Sequence, residues 1–313
     1  MHKWSKWTKR LAQVTVVSAV LLPTALYALS PDLSPEQKDR PRAEKVPEAI
    51  AAISKDFKFI KDGYLTVATN PGSLPLGDYA TDTKTVVGNE PDIAQVLADS
   101  LGLKLELVPV AWADWPLGLT SGKFDAVISN VTVTEARKEK FDFSTYRQDV
   151  LGFYVKADND KIKSITEPKD VAGLRVIVGS GTNQEQILLN WINKNKEAGL
   201  PATEIQYYDE EAIRRLAIES DRADTYLGPN AFEAFYTAQA HKTKLVGLLN
   251  GGWPLSAEIA VTTRKDSGLA DALTIALNTQ IKNGTYAKVL DRWGLASEAI
   301  ATSRTNPPGL PKT

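Results

Sequence analysis

The chain contains no cysteine. Disulfides, thiol nucleophiles, thiolate metal sites and lipid attachment through a Cys are therefore excluded, and the compartment is left open. Histidine is almost absent as well, with only His2 and His241 in 313 residues. A His-rich zinc site is ruled out, and no metal or cofactor is expected. Once a leader is removed, only His241 could serve a Ser–His–Asp triad. It lies in the polar run Ala238-Gln239-Ala240-His241-Lys242, which reads as a solvated helix end. There is no basic excess either, since 37 Lys plus Arg stand against 38 Asp plus Glu. A nucleic-acid or acidic-membrane partner has no electrostatic support.

What is present is a leader and two domains' worth of chain. Lys3, Lys6, Lys9 and Arg10 precede the apolar stretch Leu11 to Leu22, followed by Pro23 and small residues up to Ala28. This is the pattern of a secretory signal over residues 1–28. The stretch falls short of the roughly 20 residues of a membrane span. Cleavage after Ala28 leaves Leu26 where a small residue is preferred, so an uncleaved anchor is the rival reading. Residues 29–59 start with a Pro- and charge-rich lead-in over Pro31 to Pro47, expected to be poorly ordered. A short helix over Pro47 to Phe57 follows, with Ile50, Ile53 and Phe57 on one face. At about 100–200 residues per domain, two domains are expected.

From Gly63 onward, strand and helix patterns alternate. Strands are read at 64–68, 103–107, 125–129, 174–178, 204–208, 224–227 and 258–262. Helices are read at 91–101, 115–120, 134–140, 183–193, 210–219, 230–239, 269–282 and 286–293. Thr182 and Glu185 have capping-box spacing and fix one helix start. The alternation implies α/β domains with largely parallel sheets.

The run from Ser121 to Arg137, Ser-Gly-Lys-Phe-Asp-Ala-Val-Ile-Ser-Asn-Val-Thr-Val-Thr-Glu-Ala-Arg, followed by Phe141-Asp142-Phe143-Ser144, resembles the signature of family 3 extracellular solute-binding proteins. Gly88 to Gly102, Val171 to Thr182 and Asn283 to Gly294 match the same family in the right order. The resemblance implies the type II periplasmic-binding-protein fold, two α/β lobes joined by two crossover strands. Lobe 1 would be 60–149 plus 256–300 and lobe 2 150–255, with residues 301–313 as a C-terminal tail. It also implies a periplasmic monomer that delivers a small carboxylate solute, amino-acid-like, to the membrane permease of an ABC transporter.

The resemblance carries site residues with it. Arg137 takes the place of the family's carboxylate-binding arginine, and a guanidinium fork suits a carboxylate. Thr132 matches the threonine whose hydroxyl and amide meet that carboxylate, and Asn130 the position whose carbonyl meets an amino group. Thr182 and Asn183 open a lobe-two helix, whose free amides and dipole suit an anion. Trp112 matches the aromatic that covers the ligand, and Asn70 and Ser73 lie in a loop that lines the cleft. Glu90, near a helix start, reads as a dipole partner rather than a ligand contact. No Gly-Lys-Ser/Thr follows Gly179 to Thr182, so a phosphate loop is not supported.

One departure bears on the ligand. Pro229 stands where the family has an Asp that pairs with the α-ammonium; a slip of one residue would put the neutral Asn230 there. Proline offers neither carboxylate nor N–H. The preferred reading is a carboxylate whose nitrogen is absent or substituted; the other is that a different group, such as Glu90 or Asn70, replaces the Asp. Two further function classes stay open: a secreted enzyme resembling cyclohexadienyl dehydratases, for which Glu90 and Asp114 are the acids at hand, and a module that docks on a separate receptor.

Overall fold

A computed structural model describes residues 31–208 and 210–312, so the leader lies outside the described residues. Helix α1 (Pro47–Ala52) precedes strand β1 (Tyr64–Thr69). A small hairpin, β2 (Asp78–Tyr79) and β3 (Val86–Val87), leads into α2 (Asn89–Ser100), β4 (Lys104–Pro109), α3 (Trp115–Thr120), β5 (Ala126–Val127), α4 (Glu135–Lys138) and β6 (Phe141–Gln148). One residue later, β7 (Val150–Lys156) begins a second series: β8 (Arg175–Ile177), α5 (Asn183–Glu197), β9 (Glu204–Gln206), α6 (Glu211–Glu219), β10 (Thr225–Pro229), α7 (Asn230–Ala240) and β11 (Thr243–Asn250). The chain then returns through β12 (Glu258–Arg264), α8 (Ala270–Asn283) and α9 (Thr285–Arg292).

Two five-stranded sheets result, ordered β4-β1-β5-β12-β6 and β11-β7-β10-β8-β9. Each is mixed rather than largely parallel. β1 pairs parallel with β4 and β5, whereas β12 runs antiparallel to β5 and β6. In the second sheet β8 pairs parallel with β9 and β10, but β7 runs antiparallel to β10 and β11. The antiparallel pairs arise from the two passages between lobes, β6 to β7 and β11 to β12, which connect without a helix. Residue alternation along each strand feeds two faces. Leu65 and Val67 of β1 join Ile93, Leu97, Leu273 and Leu290 under one helical layer. Ala68 faces the other side with Trp115, Phe124 and Phe143. In lobe two, Val176 packs with Phe153, Leu188 and Trp191, and Ile177 turns to Ile218 and Tyr226.

The polar lead-in departs from the expected disorder. Arg40 binds Asp92 at 2.7 Å and Arg42 binds Asp99 at 2.6 Å, both acids on α2. Val46 and Ala49 are buried in the lobe-one core. Two of the charges that suggested disorder thus have fixed partners. α1 also stops earlier than expected, at Ala52, and Ile50 is exposed while Ile53 and Phe57 pack on the core from the following loop.

Two buried tyrosines, Tyr226 and Tyr154, lie on the paired strands β10 and β7. Gly228 and Gly152 are paired across β10 and β7. A Cβ on Gly228 would lie 2.1 Å from the Tyr226 hydroxyl, and one on Gly152 2.4 Å from the Tyr154 ring. Glycine at both positions lets the two rings lie along the sheet. Glu233, in the first turn of α7, is buried on the same side, near Arg214, Arg215 and Glu211 of α6. Burial pushes its carboxyl from the ordinary 4.5 up to about 7 against the pull of Arg215. A raised folded-state value means stability that is full at low pH and lost as pH rises through about 7. Glu233→Gln should therefore match the parent near pH 4.5 and exceed it by about 3 kcal/mol at about pH 8, at about 1.4 kcal/mol per pH unit. Urea unfolding of both proteins at the two pH values checks this.

Candidate ligand-binding site

The passage from β6 to β7 sets the site. Arg147 and Asp149 flank Gln148, and both are buried where the chain leaves one sheet for the other. The Thr132 hydroxyl donates to Asp149 Oδ2 at 2.6 Å, and Asn183 Nδ2 donates to the same oxygen at 2.8 Å. Thr132 belongs to lobe one and Asn183 opens α5 of lobe two, so one carboxylate ties both lobes. Asn183 Nδ2 also donates to the Gly251 carbonyl at 2.8 Å. A Cβ on Gly251 would fall 1.8 Å from Asp149 Oδ2, so only glycine fits against this acid. Burial raises the Asp149 pKa, opposed by Thr132, Arg147, Asn183 and Arg137.

Arg137 sits one turn into α4, whose start is capped by Thr134 accepting from Arg137 N at 3.1 Å. Its guanidinium donates to two carbonyls, Thr132 at 2.9 Å in lobe one and Gly181 at 3.2 Å in lobe two. It lies 5.5 Å over the Trp112 ring. No carboxylate lies within 4.0 Å of it among the described residues. Desolvation pulls its pKa down to about 10, with Asp149 pulling the other way, so it stays charged at neutral pH.

A second buried cluster adjoins. Asn130 has the left-handed φ of 50°. Its amide donates to Glu90 Oε1 at 2.5 Å, and its side-chain oxygen accepts from Arg147. Tyr146 donates to the same Glu90 oxygen at 2.9 Å. Arg147 forms a buried ion pair with Glu298, from the segment after α9. Burial raises Glu90 and Glu298, with Arg147 opposing in both. Asn230 accepts from the Tyr154 hydroxyl at 2.8 Å and lies near enough to Glu298 to help hold its carboxyl down, which brings lobe two to the cluster.

Five of the nine expected residues therefore meet at one junction: Asn130, Thr132, Arg137, Asn183 and Asn230. Trp112 stands beside them under Arg137, and Asn70 reaches Trp112, its side-chain oxygen taking the Trp112 N–H at 2.7 Å. Ser73 lies in a tight bridge with Gly77, its buried hydroxyl without a partner among the described residues. The Thr182 hydroxyl is taken up locally, donating to the Gly179 carbonyl at 2.7 Å and capping α5. Asn183 acts through its side chain, whereas a backbone amide was expected. Glu90 is engaged with Asn130 and Tyr146, and Asp114 is exposed. Arg147, Asp149 and Glu298 were missed. Arg147 and Asp149 lie in and between β6 and β7, two strands that the sequence reading did not anticipate; the available signal was two charges at i, i+2 inside an otherwise apolar and aromatic run.

Two mixed α/β lobes closing on buried polar groups define a two-lobed binding protein of the type II periplasmic kind. The model of the bacterial extracellular solute-binding proteins, family 3, matches residues 65–296, and the chain belongs to that family. The L-cystine-binding protein TcyJ of Escherichia coli is 28% identical over 255 residues, which cover 78% of this chain and 91% of that protein. A solved ancestral arginine-binding protein bound to arginine is 31% identical with a TM-score of 0.64, covering 74% of this chain and 98% of the other. The cyclohexadienyl dehydratase of Pseudomonas aeruginosa is 28% identical over 137 residues, 44% of this chain and 51% of that enzyme.

Removing Glu298 would leave Arg147 charged and buried without its carboxylate. Breaking such a pair costs about 3–5 kcal/mol. Glu298→Ala should lower stability by that amount in urea unfolding, while Glu258→Ala, on the partly exposed Arg304 pair, should cost about 1 kcal/mol or less.

Proposed function

We propose that this protein captures a small amino-acid-like carboxylate in the periplasm and delivers it to the membrane permease of an ABC transporter, with no reaction of its own. The observation that carries the reading is Arg137: a half-buried guanidinium held between carbonyls of the two lobes, with no carboxylate in contact among the described residues. Such a group is an anion receptor, because its fork of donors matches a carboxylate and the charge is strengthened where water is excluded. The cystine- and arginine-binding relatives support an amino-acid-like ligand. The basic leader and short apolar run support export, with the mature chain starting near residue 29.

Catalysis is the weaker reading. Glu90 is held by two donors inside the lobe-one cluster, and the similarity to the dehydratase covers 44% of this chain and 51% of that enzyme. Turnover of a supplied prephenate-like acid by the purified protein would overturn the non-catalytic reading.

Arg137→Ala should weaken ligand binding by about 2–5 kcal/mol, the cost of truncating a charged partner in a desolvated site. Arg137→Lys should recover only part, since an ammonium lacks the planar fork. Calorimetry with a ligand identified by thermal shift measures both, and unchanged affinity in Arg137→Ala would remove Arg137 from the site.

A further inference from the structure

The chain continues past the family match at 65–296, and this extension is bonded around the turn that carries Arg137. It first runs beside β6. Thr305 bridges Ser144. Asn306, at a left-handed φ of 49°, donates its amide to the Phe143 carbonyl at 3.0 Å, and its side-chain oxygen accepts from the Phe143 amide at 2.9 Å. The extension then turns onto α4. The Pro307 carbonyl accepts from Lys138 Nζ at 3.1 Å, and the Gly309 amide donates to Glu135 Oε1 at 2.8 Å. Leu310 is buried; its amide donates to the Val133 carbonyl at 3.1 Å and its carbonyl accepts from the Glu135 amide at 2.9 Å. Lys312 pairs with Glu139. A Cβ on Gly309 would lie 2.6 Å from the Val133 carbonyl, so this approach requires glycine. α4 spans only four residues, Glu135–Lys138. A single turn makes too few internal bonds to hold itself, and its first amides have no partner within the helix. Here Thr134 takes the Arg137 amide and Leu310 takes the Glu135 amide. The turn that aims Arg137 is thus completed from the far end of the chain. The next residue reaches the other lobe, where the Pro311 carbonyl accepts from Gln186 Nε2 of α5 at 2.9 Å.

We propose that residues 304–312 form a clasp that sets the pose of Arg137 and ties the two lobes together on that side of the junction. Its members are positioning residues, acting through the α4 turn and through α5. The inference deepens the binding reading above, because it makes the Arg137 receptor depend on a segment outside the family match. The two attachments differ in strength. Lobe one holds the clasp by a buried leucine and by hydrogen bonds on both sides of Arg137. Lobe two holds it at Pro311 through an exposed hydrogen bond from Gln186. Leu310 and Pro311 are adjacent, so only about 3.8 Å of chain separates the two attachments. The lobes therefore cannot part at this edge without breaking the Gln186 bond. A neutral hydrogen bond of this kind shifts an equilibrium by about fivefold. The clasp thus favours the lobe arrangement seen here without locking it, and Pro311 can release Gln186 while Leu310 stays in place.

The test reads the full mature chain without added solute in two ways. One is hydrogen exchange, followed by mass spectrometry, over residues 133–139. The other is the distance between spin labels on Leu117→Cys and Lys196→Cys, exposed positions in lobe one and lobe two. The chain has no cysteine of its own, so only these two sites take the label. Deleting residues 309–313 should speed exchange over 133–139 about tenfold, through loss of the Gly309 and Leu310 bonds, and should broaden the distances. Gly309→Ala, in the full-length chain, should speed the same exchange, because its Cβ displaces the clasp from Val133. Gln186→Ala should broaden the distances and leave exchange over 133–139 at the parent's rate. β1 and α2 should keep the parent's protection in all three variants, which also reports that lobe one is folded. The two substitutions decide the matter even where the deletion fails to fold. A tail that merely stabilised lobe one would speed exchange in β1 and α2 as well, and Gln186→Ala would leave the distances unmoved. Unchanged exchange over 133–139 in Gly309→Ala would overturn the positioning of Arg137, and unchanged distances in Gln186→Ala would overturn the tie between lobes. Neither readout uses a solute, whereas calorimetry of Arg137→Ala judges the binding reading, so the two failures are told apart.

Discussion

A carboxylate buried at the one residue between two sheets has to find its donors in both lobes. Asp149 does so through Thr132 and Asn183, and most of the junction follows from that requirement. Leaving such a group unpaired would cost several kcal/mol, so the lobes are held where the donors reach it. Gly251 is the steric counterpart, because any side chain there would occupy the carboxylate's place. Hinge closure around a solute is the motion of periplasmic binding proteins. Here the arrangement of the lobes is specified by a charge in the crossover itself, bonded to one residue of each lobe.

The segments outside the family match at 65–296 are fastened to the rest of the chain, the one before it to α2 and the one after it to the junction. Before it, Arg40 and Arg42 fasten the lead-in to α2, and Asp92 is shared with Arg292 and the Trp293 indole. After it, Glu298 enters the buried cluster under Arg147. The tail then bridges to Ser144 and Thr134 through Thr305 and Leu310, and the Pro311 carbonyl accepts from Gln186 of α5 at 2.9 Å. The C-terminal segment thus touches both lobes on the side where Arg137 lies. Buried ion pairs such as Arg147–Glu298 add little net stability, because desolvation offsets the attraction. Their effect is to make one arrangement of the chain much better than its neighbours.

The periodic elements were legible because burial is regular along them. The Thr182–Glu185 spacing marked a helix start that the structure shows, with Thr182 accepting from the Glu185 amide. Arg137 and Thr132 stood out through the run around them. Strands β6, β7 and β11 did not: β6 and β7 are buried at nearly every position and so show no alternation, and β11 alternates irregularly, with a bulge between Leu245 and Gly247. Asp149 and Arg147 were illegible for a different reason. Charges in a strand read as solvent-facing, and their burial depends on Asn183, 34 residues away, and Glu298, 151 residues away. Spacing along the chain carries no trace of contacts at that separation. The lead-in shows the same limit: its composition suggested disorder, and its order comes from acids on α2.

The most direct measurement is mass spectrometry of whatever is released when protein purified from the cell envelope is denatured. A small carboxylate-bearing molecule, released intact, is the expected result for a site built on Arg137. A released solute that lacks a carboxylate would contradict it.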